Sequence, residues 1–272
     1  MTTILTIIFL SFILIKFSKY QSYIPILMYH RIATVQNDRN ALPLEKFIEQ
    51  LEYLDDNNFS TITTKQLYDY YINKIPLPPK AVLLTFDDGY EDNFVNALPY
   101  LKKYNMSAIV FPIVNWIGKT NSWESFGKKT TNTMSTAQLK LWLNSGMEIG
   151  AHSKTHPFLS ACSTKQLNSE INDCKKELEQ LLEIPITTFC YPYGNFNQKI
   201  LQEVSCAKYH CAFAIFENAS FDKLNILALP RIGISSRQTL TEFKLKVSKF
   251  HIIFIILRKI ERSFKKQLNK FR

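Results

Sequence analysis

Two adjacent carboxylates, Asp87 and Asp88, follow the apolar run Ala81–Phe86 and precede Gly89. An Asp-Gly pair alone is a common turn. Two neighbouring carboxylates repel each other, and a cation beside them relieves that cost. One of the pair can then hold a metal while the other stays free as a base. A second polar set, His152-Ser153-Lys154-Thr155-His156, follows the apolar run Met147–Ala151. The chain has five histidines, and two stand here four residues apart. That spacing puts both imidazoles on one face of a helical turn. Two imidazoles and one carboxylate make a three-donor set that leaves positions open for water. A third set, Tyr191-Pro192-Tyr193-Gly194, holds a rigid turn whose amides can point into a site, although by itself it reads as any loop. His30 and Arg231 also stand at or within apolar runs, and each read singly is structural, as are His210 and His251.

Apolar runs and helical patterns must position these groups. Strands are expected at Ile24–Tyr29, Ala81–Phe86, Ala108–Ile113, Met147–Ala151, Thr187–Tyr191 and Ala228–Ile234. Helices are expected at Leu44–Asp56, Asn93–Tyr104, Ser135–Asn144 (with Ser135 as its cap) and Thr164–Leu182, and residues 115–133 read as a loop. Strands alternating with helices imply a mostly parallel sheet, and about seven units imply a barrel-like closure. Chemistry in such folds collects at the carboxyl ends of the strands, where the Asp pair, the His pair and the Pro-Tyr-Gly turn all lie.

The chain has 272 residues, 46% hydrophobic and 21% charged, which excludes a disordered, collagen-like or purely coiled-coil protein. Residues 244–272 carry ten basic side chains against Glu261, so +9 of the net +10 lies there and the preceding residues carry +1. A nearly neutral body argues against nucleic-acid binding. Five cysteines without a C-x-x-C pair do not make a disulfide framework. Met1–Ile15 carries no charged side chain, and it lacks a positive leading region and an A-x-A-like site, so it reads as an uncleaved anchor. Ile253, Leu257, Ile260, Phe264, Leu268 and Phe271 form a helical stripe among basic residues. That pattern suits an amphipathic helix on an anionic membrane surface, or one packed on its own domain. The expected organisation is therefore a hydrophobic signal or anchor at 1–19, a catalytic domain at 20–243 and a basic helical tail at 244–272.

TFDDG, HSKTH and YPYG, in this order and at strand ends, resemble the NodB-type polysaccharide deacetylases of carbohydrate esterase family 4 over roughly Ile24–Ile234. The leading PILMYHRI and the late LPRIGI resemble the branch that deacetylates poly-N-acetylglucosamine. The resemblance implies a distorted (β/α)7 barrel of the polysaccharide deacetylase type and one divalent metal, Zn²⁺ with Co²⁺ or Ni²⁺ as substitutes. It implies Asp88, His152 and His156 as metal ligands, Asp87 as general base, His30 as general acid, and the Tyr193 N–H as oxyanion donor. Many family members carry an arginine two residues before the Pro-Tyr-Gly, where this chain has Cys190, so Arg231 must hold Asp87 ionised instead. The histidine that many members supply near the domain's C-terminal end is not evident, and His30 replaces it, as in that branch.

The implied activity is removal of N-acetyl groups from N-acetylhexosamine units of a cell-surface or extracellular polysaccharide, by a monomer. Alternatives are a deacetylase or deformylase of a lipid-linked sugar, which the basic tail favours, and a catalytically silent glycan-binding protein. Trp116 and Trp123, in the 115–133 loop, can border a glycan groove. Family habit places the anchored catalytic domain outside the cytoplasm, whereas Lys16, Lys19 and the unpaired cysteines point the other way.

Overall fold

The computed structural model describes residues 24–123, 130–215 and 225–251. The expected anchor at 1–19, and the stripe that begins at Ile253, lie outside them. No helix among the described residues is long and apolar enough to cross a membrane. The chain divides into two compact units, and the larger is Ile26–Gln238. Of the other, the described part includes one helix, Leu240–Val247, opened by a Thr239/Glu242 capping box.

The larger unit is built on parallel strands. In chain order these are β1 (Ile26–Tyr29), β2 (Arg31–Ile32), β3 (Ala41–Leu42), β4 (Ser60–Thr61) and β5 (Ala81–Asp88). There follow β6 (Ile109–Pro112), β7 (Glu148–Ile149), β8 (Thr188–Cys190), β9 (Cys211–Ile215) and β10 (Leu229–Gly233). The main sheet runs β7-β6-β5-β1-β10-β9-β8, with β4 beside the start of β5 and β2–β3 as a separate pair. Every strand pair is parallel. The two ends of the sheet meet where Ala151 bridges Phe189, with Ala151 N–H donating to Thr188 O (2.9 Å) and Cys190 N–H to Ala151 O (2.8 Å). The result is a nearly closed seven-strand barrel, as the alternation of elements implies.

Sequence explains the strands directly. Val82, Leu83, Leu84 and Phe86 are all fully buried, so β5 is a continuous apolar run rather than an alternating one. That is the signature of a parallel strand covered on both faces. Outside the barrel wall, Phe86 packs on Trp142 and stacks on Tyr29, whose hydroxyl donates to Gln50 Oε1 at 2.8 Å. Inside it, Phe111 of β6 meets Phe213 of β9 edge to face at 5.8 Å.

The helix Leu44–Asp56 has its expected bounds, and Thr136–Asn144 is capped by Ser135 with Gln138 completing a capping box. Two expected helices are interrupted. Asn93–Tyr104 becomes a π turn, Asn93–Ala97, followed by Leu98–Lys103. Pro99 has no N–H to donate back along the helix, and Leu98 N–H instead reaches five residues back to Asn93 O. Thr164–Leu182 likewise carries a π turn, Ser169–Asp173, between two α-helical pieces. The helices Thr64–Ile72 and Gln198–Cys206 and the strand β9 were not expected. Each is short, and Cys211–Ile215 is too small a patch of apolar residues to stand out by pattern.

Gly150 sits at the barrel's closure. A Cβ there would meet Phe111 Cδ1 at 2.7 Å and the Thr188 carbonyl at 2.9 Å. Gly150→Ala is expected to destabilise the chain by ~1–3 kcal/mol through overpacking, read as a lower urea midpoint at unchanged slope. An unchanged midpoint would mean that the closure is loose.

Candidate active site

The end of β5 does something a regular strand cannot. Successive strand residues point to opposite faces, yet Asp87 and Asp88 line the same cavity. The backbone explains it: Asp88 has φ +69° and Gly89 φ +68°, so the chain turns sharply and swings the second carboxylate back inward. Gly89 is needed twice over, for its left-handed φ and because a Cβ would lie 2.8 Å from Pro112 Cα.

Asp87 is held by Arg231 from β10. Nη1 donates to Oδ1 at 2.6 Å and Nη2 to Oδ2 at 2.7 Å, a two-pronged buried pair. Arg231 Nη1 also donates to Thr85 Oγ1 (3.0 Å), and its Nη2 lies 3.0 Å from Cys190 Sγ. Burial alone would raise the Asp87 pKa, but the guanidinium, aided by His152 and His30, carries it below the ordinary 3.8. The Cys190 thiol is pushed up by burial and stays neutral.

Asp88 faces the histidines. Its Oδ1 lies 3.5 Å from His152 Nε2 and 3.5 Å from His156 Nε2. That oxygen is buried and has no hydrogen-bond partner among the described residues. His152 Nδ1 is 2.9 Å from the Cys190 carbonyl, which fixes a proton there and turns Nε2 toward Asp88. Despite burial, the surrounding imidazoles carry Asp88 well below the usual carboxylate range. His152 lies well above its ordinary value despite burial, owing to the Cys190 and aspartate contacts, whereas burial drives His156 down to about 4.

These donors fit a metal ion. The donor atoms of Asp88, His152 and His156 lie within 4.8 Å of one another. The two 3.5 Å separations approach the ~3.3 Å edge of a tetrahedron with bonds of about 2.0–2.1 Å. The orphaned Asp88 oxygen is the group that such an ion would satisfy. Asp87, His152 and Cys190 also cluster within that limit, but there the Arg231 guanidinium already occupies both Asp87 oxygens and the sulfur.

A model of the polysaccharide deacetylase family matches residues 74–212, just over half of the chain. The chain belongs to the polysaccharide deacetylase family. The Bacillus subtilis (strain 168) protein YxkH is 32% identical over 212 residues, 78% of this chain and 71% of that one. The poly-β-1,6-N-acetyl-D-glucosamine N-deacetylase of Staphylococcus aureus is 28% identical over 70% of this chain and 66% of its own length. Among solved structures, the Streptococcus pyogenes deacetylase PplD, in complex with acetate, superposes with a TM-score of 0.71 at 24% identity, covering 83% of this chain and 98% of that one. IcaB from Ammonifex degensii does so at 0.67 and 22%, covering 82% and 95%. Both share the fold.

In this deacetylase-family barrel all seven expected site residues line one cavity of about 440 Å³. His30 Nε2 stands 4.0 Å from Asp87 Oδ2, and its backbone carbonyl accepts from the buried Asn93 Nδ2 at 2.7 Å. Tyr193 is 46% exposed, has φ +56°, and sets its ring against His156. Of the two tryptophans, Trp123 lines the cavity and Trp116 packs behind it at 5.6 Å.

One expectation needs correcting. His152–His156 is not a helical turn: Ser153 and His156 have φ of +63° and +65°, and the His156 N–H is held by Ser153 Oγ at 3.0 Å. The imidazoles still converge, with centroids 4.9 Å apart, but through a compact irregular loop. Sequence reasoning also missed Asn93 and Glu170, two buried polar residues on the π turns, each bonded to a loop that carries site histidines. A buried carboxylate inside an amphipathic helix pattern was the available signal.

Arg231→Gln would leave the Asp87 carboxylate buried without its partner. The expected loss is on the order of 3–5 kcal/mol at neutral pH. Asp87 is depressed in the wild type, so the pair's contribution is fully present above pH 3.8 and lost only as pH falls through the lowered value. In the variant the carboxyl titrates at higher pH, so denaturation at several pH values should show the deficit narrowing toward pH 4. A pH-independent deficit would contradict the assignment.

Proposed function

We propose that this chain is a metal-dependent hydrolase that removes N-acetyl groups from N-acetylhexosamine units of a cell-surface or extracellular polysaccharide and releases acetate. One observation carries the reading: a carboxylate locked by Arg231 stands beside a separate carboxylate and two imidazoles with metal-ligand spacing, in one cavity. The similarity to the Staphylococcus aureus enzyme supports a poly-N-acetylglucosamine substrate.

Asp88, His152 and His156 would hold the metal, and their N₂O donor set suits Zn²⁺, with Co²⁺ or Ni²⁺ as substitutes. Once bound, it supplies a Lewis acid and lowers the pKa of water from 15.7 toward about 7. Asp87, kept ionised by Arg231, takes the proton of the water that adds to the amide carbonyl carbon. The Tyr193 backbone N–H donates to the oxyanion that develops. His30, within reach of Asp87, gives a proton to the nitrogen as the C–N bond breaks, which yields acetate and a free amine. Anchoring by residues 1–19, with the catalytic unit outside the cytoplasm and monomeric, completes the proposal; every cavity residue lies within Ile26–Gln238.

The test uses the full-length chain loaded with Zn²⁺ and an acetate assay. Asp87→Asn is expected to keep the metal and to lose roughly 10²- to 10⁴-fold in turnover, the span of general acid–base catalysis. His152→Ala is expected to lose the metal itself. Full activity in Asp87→Asn would end the proposed role. Acetate from a lipid-linked N-acetylated sugar but not from poly-N-acetylglucosamine would move the substrate to envelope glycan precursors. Release from no N-acetylated glycan with zinc, cobalt or nickel would favour a silent glycan-binding protein.

A further inference from the structure

The loop that carries both imidazoles is irregular, and something must hold it. Ser153 and His156 are non-glycine residues in the left-handed region, a conformation that persists only where surroundings over-determine it. The carbonyl side of the loop is tied to the short turn Val114–Trp116 that follows β6, since Val114 N–H donates to Ser153 O (3.3 Å) and Asn115 N–H to Lys154 O (3.0 Å). The amide side is tied to one residue. Lys154 N–H and Thr155 N–H both donate to Glu170 Oε2 at 2.8 Å, and the Thr155 hydroxyl donates to Oε1 at 2.6 Å.

Glu170 is 7% exposed. The ammonium of Lys154 turns to Glu177 instead, so the three donors that satisfy the Glu170 carboxylate are neutral groups, all from the stretch between His152 and His156. A buried carboxylate without such donors is strongly disfavoured, and hydrogen bonds to an ionised acceptor are about twice as strong as neutral ones. The constraint therefore acts in both directions. Glu170 needs the loop in this shape, and the loop is pinned by Glu170 at the residues midway between the two ligands. The carboxylate comes from the π turn Ser169–Asp173, an irregularity of the kind found near functional sites.

We propose that Glu170 is a positioning residue that pre-organises the His152 and His156 imidazoles for metal binding. It acts on metal affinity rather than on the bond-breaking step. The inference rests on the metal-ligand reading of Asp88, His152 and His156.

The experiment is a Zn²⁺ titration of the full-length chain against a chromophoric chelator, which needs no substrate and no turnover. Removing a partner that orients a ligand typically weakens metal binding roughly 10- to 100-fold, and Glu170→Ala is expected to raise the Kd by that factor. Turnover of that variant should return at saturating Zn²⁺. Glu170→Gln is expected to stay within about threefold of wild type, because its carbonyl still accepts both amides and its NH₂ can donate to Thr155 Oγ. Thr155→Val, at an exposed position, loses one of the three bonds and is expected to weaken binding about two- to fivefold. It keeps the test decisive where Glu170→Ala does not fold. A Kd within twofold of wild type in Glu170→Ala, or in Thr155→Val where Glu170→Ala does not fold, would overturn the proposal. Equal losses in the Gln and Ala variants would also do so, because charge rather than geometry would then be at work. A wild-type chain that takes up no Zn²⁺ would remove the metal reading and this inference together.

Discussion

A buried guanidinium gripping one of two adjacent carboxylates organises everything around it. Asp87 and Asp88 are consecutive, both are buried, and both hold pKa values below the ordinary range. Two such charges cannot share a dry cavity without cations. Arg231 answers for the first, and by occupying both oxygens of Asp87 it also denies that residue to a metal. The second carboxylate is left facing the imidazoles. The division of labour between two chemically identical neighbours is thus set by where a third residue, 143 positions beyond Asp88, enters the barrel. A buried ion pair is weak evidence for stability, since its desolvation cost rivals its attraction. Its presence here makes more sense as a device of the site than of the fold.

The barrel supplies a rigid frame, and the irregular backbone supplies the geometry. Asp88, Gly89, Ser153, His156, Tyr193 and Gly194 all have positive φ, and all lie at or just after three of the strand ends around the cavity. Regular strands would point Asp87 and Asp88 apart. Each strained non-glycine residue costs of order 1–3 kcal/mol, and the surrounding structure must hold it. Part of that holding comes from two π turns, whose Asn93 and Glu170 reach the loops of His30 and of the histidine pair.

Cys190 stands where an arginine is common in the resembled family, and the structure accounts for the exchange. The thiol is small and adds only a weak contact to the carboxylate, Sγ to Asp87 Oδ1 at 3.6 Å. It leaves room for Arg231 to enter from β10, two strands beyond β8 in the sheet, and to touch both Asp87 and the sulfur. The same local charge balance is reached from another part of the chain. Meanwhile the Cys190 backbone keeps a role of its own, because its carbonyl orients His152.

Much of this was legible in the sequence, because strongly apolar parallel strands announce themselves and parallel barrels gather polar residues at strand ends. The Asp pair, the His pair and the Pro-Tyr-Gly turn could be named from type and position, and a barrel-like closure followed from the alternation of units, although only six of its seven strands were named and the number seven came from the family resemblance. What stayed hidden was whatever depends on distance through space. The helical turn expected for His152–His156 was wrong, because spacing of four says nothing about a loop clamped from outside by Glu170. Likewise the π turns and the inward swing of Asp88 depend on dihedral angles that no residue type dictates, and the pairing of Arg231 with Asp87, expected from the family resemblance alone, joins residues remote in sequence. The order of residues determined which chemistry was available; only folding decided which carboxylate would be free to do it, because that choice belongs to a contact across the barrel.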